Sequence, residues 1–159
     1  MGGGHRAAAC AAWLGAAPLL GVHDWRQLAA GVVVAGACGD GKLSPDVDQR
    51  GIPAKLIPGG HRGITHWWPL PILAWWGSTH AGIYGWAVLA VAVAWASHVL
   101  ADAVFGEIPV WPKRGGWRRV GLGLKTGGRI ERAATPVLAS AAVWLAWVDV
   151  SPLVIGALR

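Results

Sequence analysis

The sequence predicts an all-α fold, an integral membrane bundle of about four to five apolar helices. Three observations carry this. Hydrophobic residues make up 54% of the 159 residues and charged ones only 14%, against about 45–50% and about 25% in ordinary soluble domains. Apolar segments rich in Ala, Leu, Val and Trp recur along the chain, and they are apolar on every face, as burial in lipid or in a bundle core requires. Between them lie stretches of Gly, Pro and charge, and the basic residues gather in those that share one side of the bundle.

The apolar segments cover approximately residues 7–22, 27–38, 67–77, 81–105 and 133–148, within a single domain, and a basic loop occupies 106–132. The first follows MGGGHR and has the charge-then-apolar order of a signal peptide. Because the rest of the chain is equally apolar, a retained first helix is the better expectation. The second ends before Gly39 and Asp40. Thr65 is placed to cap the third, with His66 in its first turn. Gly77 is the expected stop, and Ser78 or Thr79 the expected cap of the fourth. Only the fourth segment exceeds the roughly 20 residues that cross a hydrocarbon core of ~30 Å. The shorter ones need local thinning, polar flanks or partial immersion.

Alternating helix directions put the start of the first segment, the end of the second, the start of the third, the end of the fourth and the start of the fifth on one side. Every Lys and Arg except Arg26 and Arg159 falls there, so the positive-inside bias makes that side cytoplasmic. The net charge of +6 comes without a zinc-finger spacing, a basic helix or an RNP-like segment, and no nucleic-acid partner is expected. Cys10 and Cys38 lie inside apolar stretches and read as buried thiols.

The same side collects His5, Asp46, Asp48, His61, His66, His98, Asp102 and Glu131. His98 and Asp102 are four residues apart, which puts them on one helix face at the spacing of two ligands or of a hydrogen-bonded pair. Asp46 and Asp48, separated by one residue, repel each other unless they are solvated or share a cation. His61 and His66 bracket Arg62, whose permanently charged fork suits an oxyanion better than a metal. His23 and His80 fall on the opposite side and read as interfacial residues, and the tryptophans need only interface and packing roles.

A glycine-histidine pair near the start, then PDVD, GHRGITH, SHVLAD, an aromatic-proline step and a basic loop closing in a Glu, resemble in this order the YdjM-like family of inner-membrane proteins, described as membrane-bound metal-dependent hydrolases. The resemblance covers about residues 4–132. It implies that His5, Asp46, Asp48, His61, His66, His98 and Asp102 are metal-binding positions, with Glu131 a further one. A more distant similarity in the order of His and Asp points to the zinc-dependent phospholipase C and nuclease group, and implies a phosphoester substrate such as a phospholipid. Two departures stand out: Gln49 and Trp67 occupy positions where the family usually has histidine and serine.

A His/Asp set without thiolate fits zinc, manganese or ferrous iron, and the similarity to the zinc-dependent group implies zinc first. The expected function is metal-dependent hydrolysis through an activated water. Arg62 would bind the substrate anion, with Glu131 and Asp48 as the catalytic carboxylates and Glu131 as general base. The rival is a non-catalytic membrane protein with a structural or sensory metal site. A transport path is disfavoured because the middle of each segment is apolar.

Overall fold

A computed structural model of the chain describes residues 2–47, 52–124 and 129–157. The described helices are α1 (Gly2–Ala16), α2 (Trp25–Gly39), α3 (Pro69–Ser78), α4 (Gly85–Phe105) and α5 (Arg129–Ala157), with single 3-10 turns at Pro18–Leu20, Ala54–Leu56, Ile64–His66 and Gly82–Tyr84. The chain is mainly helical, as its apolar segments predict, but not all-α. Within the stretch expected to be a loop, strands β1 (Ile108–Lys113) and β2 (Gly116–Val120) form an antiparallel hairpin. Ile, Val and Trp favour the pleated chain on both sides, and Gly115, at φ 83°, makes the turn that a residue with a Cβ resists. Pro109 and Pro112 lie in β1, where a two-stranded sheet leaves edges that need no donor.

Element ends also move. Thr65 does not cap α3, because residues 64–66 wind into a separate 3-10 turn and α3 begins at Pro69, which already lacks the N–H that a cap would satisfy. Ser78 and Thr79 do not cap α4 either. Their hydroxyls donate backwards to the Trp75 and Trp76 carbonyls, at 2.6 and 2.7 Å, and so close the end of α3.

α1 is the central helix, packing against α2, α4 and α5, while α3 packs on α4. Ala9 and Trp13 of α1, and Ala17 just after it, are fully buried beside Leu28 and Ala35 of α2, Ala90 and Ala94 of α4, and Ala142 of α5. Small side chains let these backbones approach closely, which is where packing energy comes from in lipid. Trp13 reaches across and donates from Nε1 to the Leu28 carbonyl at 2.9 Å. Outward faces stay apolar: Val33, Trp76, Val143, Trp144 and Trp147 are all exposed. Among the described residues, one helical stretch is long and apolar enough to cross a membrane, Gly82–Phe105. α5 continues through Pro136 and Pro152, each of which removes one rung of the helix hydrogen-bond ladder.

Candidate metal centre

α4 brings two site residues by itself: His98 and Asp102, one turn apart and both buried. Asp46 comes from the turn after α2. There the Ser44 hydroxyl donates to the Gly41 carbonyl at 2.8 Å and accepts from the Asp46 N–H at 3.2 Å, so the loop carries its own clamp. His66 ends a loop folded on itself by hydrogen bonds from the Ile64 N–H to the Pro58 carbonyl (2.9 Å) and from the His66 N–H to the Gly63 carbonyl (3.1 Å).

Donor atoms of Asp46, His66, His98 and Asp102 lie within 4.8 Å of one another. His66 Nε2 is 3.0 Å from Asp102 Oδ2 and 3.3 Å from Asp46 Oδ1. His98 Nε2 is 3.6 Å from Asp46 Oδ2 and 3.7 Å from Asp102 Oδ2. Donors bound at 2.0–2.2 Å around one first-row divalent ion stand about 3.0–3.6 Å apart at neighbouring corners of a tetrahedron or octahedron. The spacing therefore fits one ion.

Proton accounting supports the same fit. His98 Nδ1 lies 2.9 Å from the Gly39 carbonyl, which can only accept, so Nδ1 carries the hydrogen. In the neutral ring this leaves Nε2 as a lone pair aimed at carboxylate oxygens, acceptors facing acceptors. His66 Nε2, His98 Nε2 and Asp102 Oδ2 are buried with no aligned hydrogen-bond partner among the described residues. Such a group needs a cation. Without a metal, protons take that part. Burial disfavours the Asp46 charge, but the neighbouring His66 and His98 rings outweigh it and hold the carboxyl down at about 2. Burial also opposes protonation of His66, and Asp102 and Asp46 outweigh it and push its pKa up.

The family model described as YdjM inner membrane protein matches residues 1–156. The chain belongs to this family. Comparison with curated proteins and with solved structures gave no match.

Of the YdjM-like positions picked out by sequence, two stand one layer outside the group of four. His5 stacks on the His98 ring, with centroids 4.1 Å apart and planes at 21°. A ring lying flat on a ligand lines up beside it instead of sharing its target. His5 Nδ1 is nonetheless buried without a hydrogen-bond partner among the described residues. His61 is exposed, its ring edge-on to His66 at 5.8 Å. Asp48 and Gln49 lie outside the described residues, as does the side chain of Glu131, whose backbone is in the first turn of α5.

Arg62 differs most from its expected part as an anion binder, because one of its nitrogens is already engaged. Its Nη2 donates to Asp102 Oδ1 at 2.8 Å, which leaves Oδ2 to face the histidines. The side chain reaches this place from a backbone at φ 55°, a left-handed conformation uncommon outside glycine. Trp67 is a structural pin: its Nε1 donates to the Val110 carbonyl at 3.0 Å and its ring meets Trp117 of the hairpin.

Sequence reasoning missed the groups that aim the ligands. Thr65 Oγ1 lies 3.1 Å from His66 Nδ1, the Gly39 carbonyl orients His98, and Ser44 holds Asp46. Asp40, buried and 3.5 Å from Arg6, was missed as well. For Ser44 a signal existed, since Ser two residues before an Asp is a common hydroxyl-to-backbone turn. For a backbone carbonyl no residue type gives notice.

Proposed function

We propose that this YdjM-family protein is a membrane-bound metal-dependent hydrolase whose substrate is a phosphoester, phospholipid-like in being reached from the bilayer. The observation that carries the reading is the buried His98 Nε2 lone pair facing Asp46 and Asp102 oxygens, with Gly39 fixing the tautomer. Asp46, His66, His98 and Asp102 would hold the ion, with His5, His61 and Asp48 as further candidates. Zinc is the first choice for two imidazoles and two carboxylates, ahead of manganese and iron. A bound divalent ion supplies a Lewis acid and lowers the pKa of water enough to make a nucleophile at neutral pH.

The remaining parts fall to the chain. Arg62 is held close to the donors by its contact with Asp102, and its buried Nε has no hydrogen-bond partner among the described residues. In this reading that atom receives the anionic oxygen of the substrate. Glu131 would take the proton as general base, with Asp48 as the second catalytic carboxylate. The chain passes the bilayer several times, and the basic flanks set the metal end on the cytoplasmic side.

The test is direct. Purified protein should carry stoichiometric metal and hydrolyse a phospholipid or a generic phosphodiester, and His98→Ala and Asp46→Ala should lose both properties. A protein that binds no zinc, manganese or iron sinks the reading. Metal bound stoichiometrically with no turnover of any phosphoester leaves a structural or sensory site in its place.

A further inference from the structure

The hairpin that the metal reading does not use has two unlike faces. Its inner face is pinned to the loop that carries His61 and His66. Trp117 meets Trp67 at 6.1 Å between ring centroids, Trp67 Nε1 holds the Val110 carbonyl, and the Arg119 guanidinium donates to the His61 carbonyl at 3.4 Å. Strand alternation turns Arg118 and Val120 away from Trp117, and Arg118 pairs across the ladder with Trp111. On this outer side Trp111 is 63% exposed and Val120 50%, and Leu122 just beyond is 74% exposed. Lys113, Arg114 and Arg118 are exposed among them, and no acidic residue occurs from Ile108 to Leu124.

Position gives this surface a partner. Ile108 follows Phe105, the end of the helical stretch long and apolar enough to cross a membrane, by three residues. That length of chain reaches about 10 Å at most. The headgroup layer on each side of a bilayer is about 5–8 Å deep, within that reach. A tryptophan and aliphatic tips among three cations, held at that depth, match an apolar boundary beneath anionic groups.

We infer that the outer face of the β1–β2 hairpin is a docking surface for anionic lipid headgroups, with Trp111 and Val120 entering the interface and Lys113, Arg114 and Arg118 meeting the phosphates. Because the inner face holds the His61–His66 loop, the hairpin also ties that loop to the membrane surface. This inference is independent of whether the protein hydrolyses anything.

Hydrogen exchange followed by mass spectrometry tests it on the full chain in lipid nanodiscs. Residues 108–120 should exchange about tenfold or more slowly in discs containing phosphatidylglycerol than in phosphatidylcholine alone, since each basic residue at an anionic surface contributes roughly a fivefold preference. The difference should shrink at high salt. It should vanish in the triple variant Lys113→Gln, Arg114→Gln, Arg118→Gln, which spares the Arg119 contact, while protection of α1, α2 and α4 confirms that the variant is folded. Trp111→Ala should reduce it partly. Equal exchange in the two lipids, or a difference that survives in the folded triple variant, overturns the proposal. So does protection by added RNA and not by anionic lipid. A triple variant unfolded in α4 shifts the decision to the salt titration of the unaltered protein, where a salt-independent lipid effect overturns it equally.

Discussion

The two ends of the helical bundle use the same residue types in opposite ways. At one end Asp24 accepts from the Arg26 N–H at 2.7 Å and caps α2, while His80 lies against Trp76 four residues earlier, with Nδ1 2.9 Å from Thr79 Oγ1. These contacts are local, exposed and complete. At the other end Asp46, His66, His98 and Asp102 arrive from three separate stretches of chain, and both histidines are 0% exposed. Both Nε2 atoms face the Asp46 and Asp102 carboxylates. The contrast teaches what separates a histidine that finishes a helix from one that waits for a ligand: the first meets groups within four residues of itself, and the second turns a buried ring nitrogen to carboxylates gathered from separate stretches of chain.

The strongest way to break that contrast is to remove a donor. His98→Ala or Asp102→Ala should lower zinc or manganese affinity by a hundredfold or more in calorimetric titration, and His80→Ala should leave it unchanged. Equal losses at both ends would end the distinction. Acidification comes next. The raised His66 pKa means that its proton competes with the metal, so affinity should rise about tenfold per pH unit below that pKa and level off above it. Proton release measured on metal addition checks the sign.

A subtler change tests the aiming of His98 without touching a donor. A Cβ on Gly39 would come within 2.7 Å of the Ala9 Cβ and 2.9 Å of the His5 carbonyl oxygen. Gly39→Ala should therefore push α2 from α1 and shift the carbonyl that orients His98, with a loss of about tenfold in metal affinity, as for other outer-shell partners. Thr65→Val should cost a few-fold through His66, read in the same titration. The smallest effect belongs to the other end. Asp24→Ala should lower thermal stability by about 1 kcal/mol, the ordinary worth of an N-cap, with metal content untouched.

Much of the site was legible because charge is rare in this chain. Against an apolar background, His98 and Asp102 at helical spacing stand out, and alternating helix directions carry His5, Asp46 and His66 to the same end. The hairpin was not legible, because its strands are short and its Lys and Arg residues masked the β-favouring Ile108, Val110, Trp111, Trp117 and Val120. Nor was the second task of Arg62. A guanidinium alone predicts an anion, and whether that anion is a substrate or a buried aspartate depends on a neighbour 40 positions away.

Sequence alone determined the apolar helices, the end at which polar groups collect and the kinds of donor present, because these follow from composition and from the fixed rise and period of a helix. The tertiary structure decided which four donors share one point, that His5 stacks beside them, that Asp102 turns one oxygen to Arg62 and the other to the histidines, and that the Gly39 carbonyl sets the tautomer of His98. Those depend on distances of a few ångströms between segments tens of residues apart. Such distances come from how closely the helices pack and how their loops close, and no residue encodes them by itself.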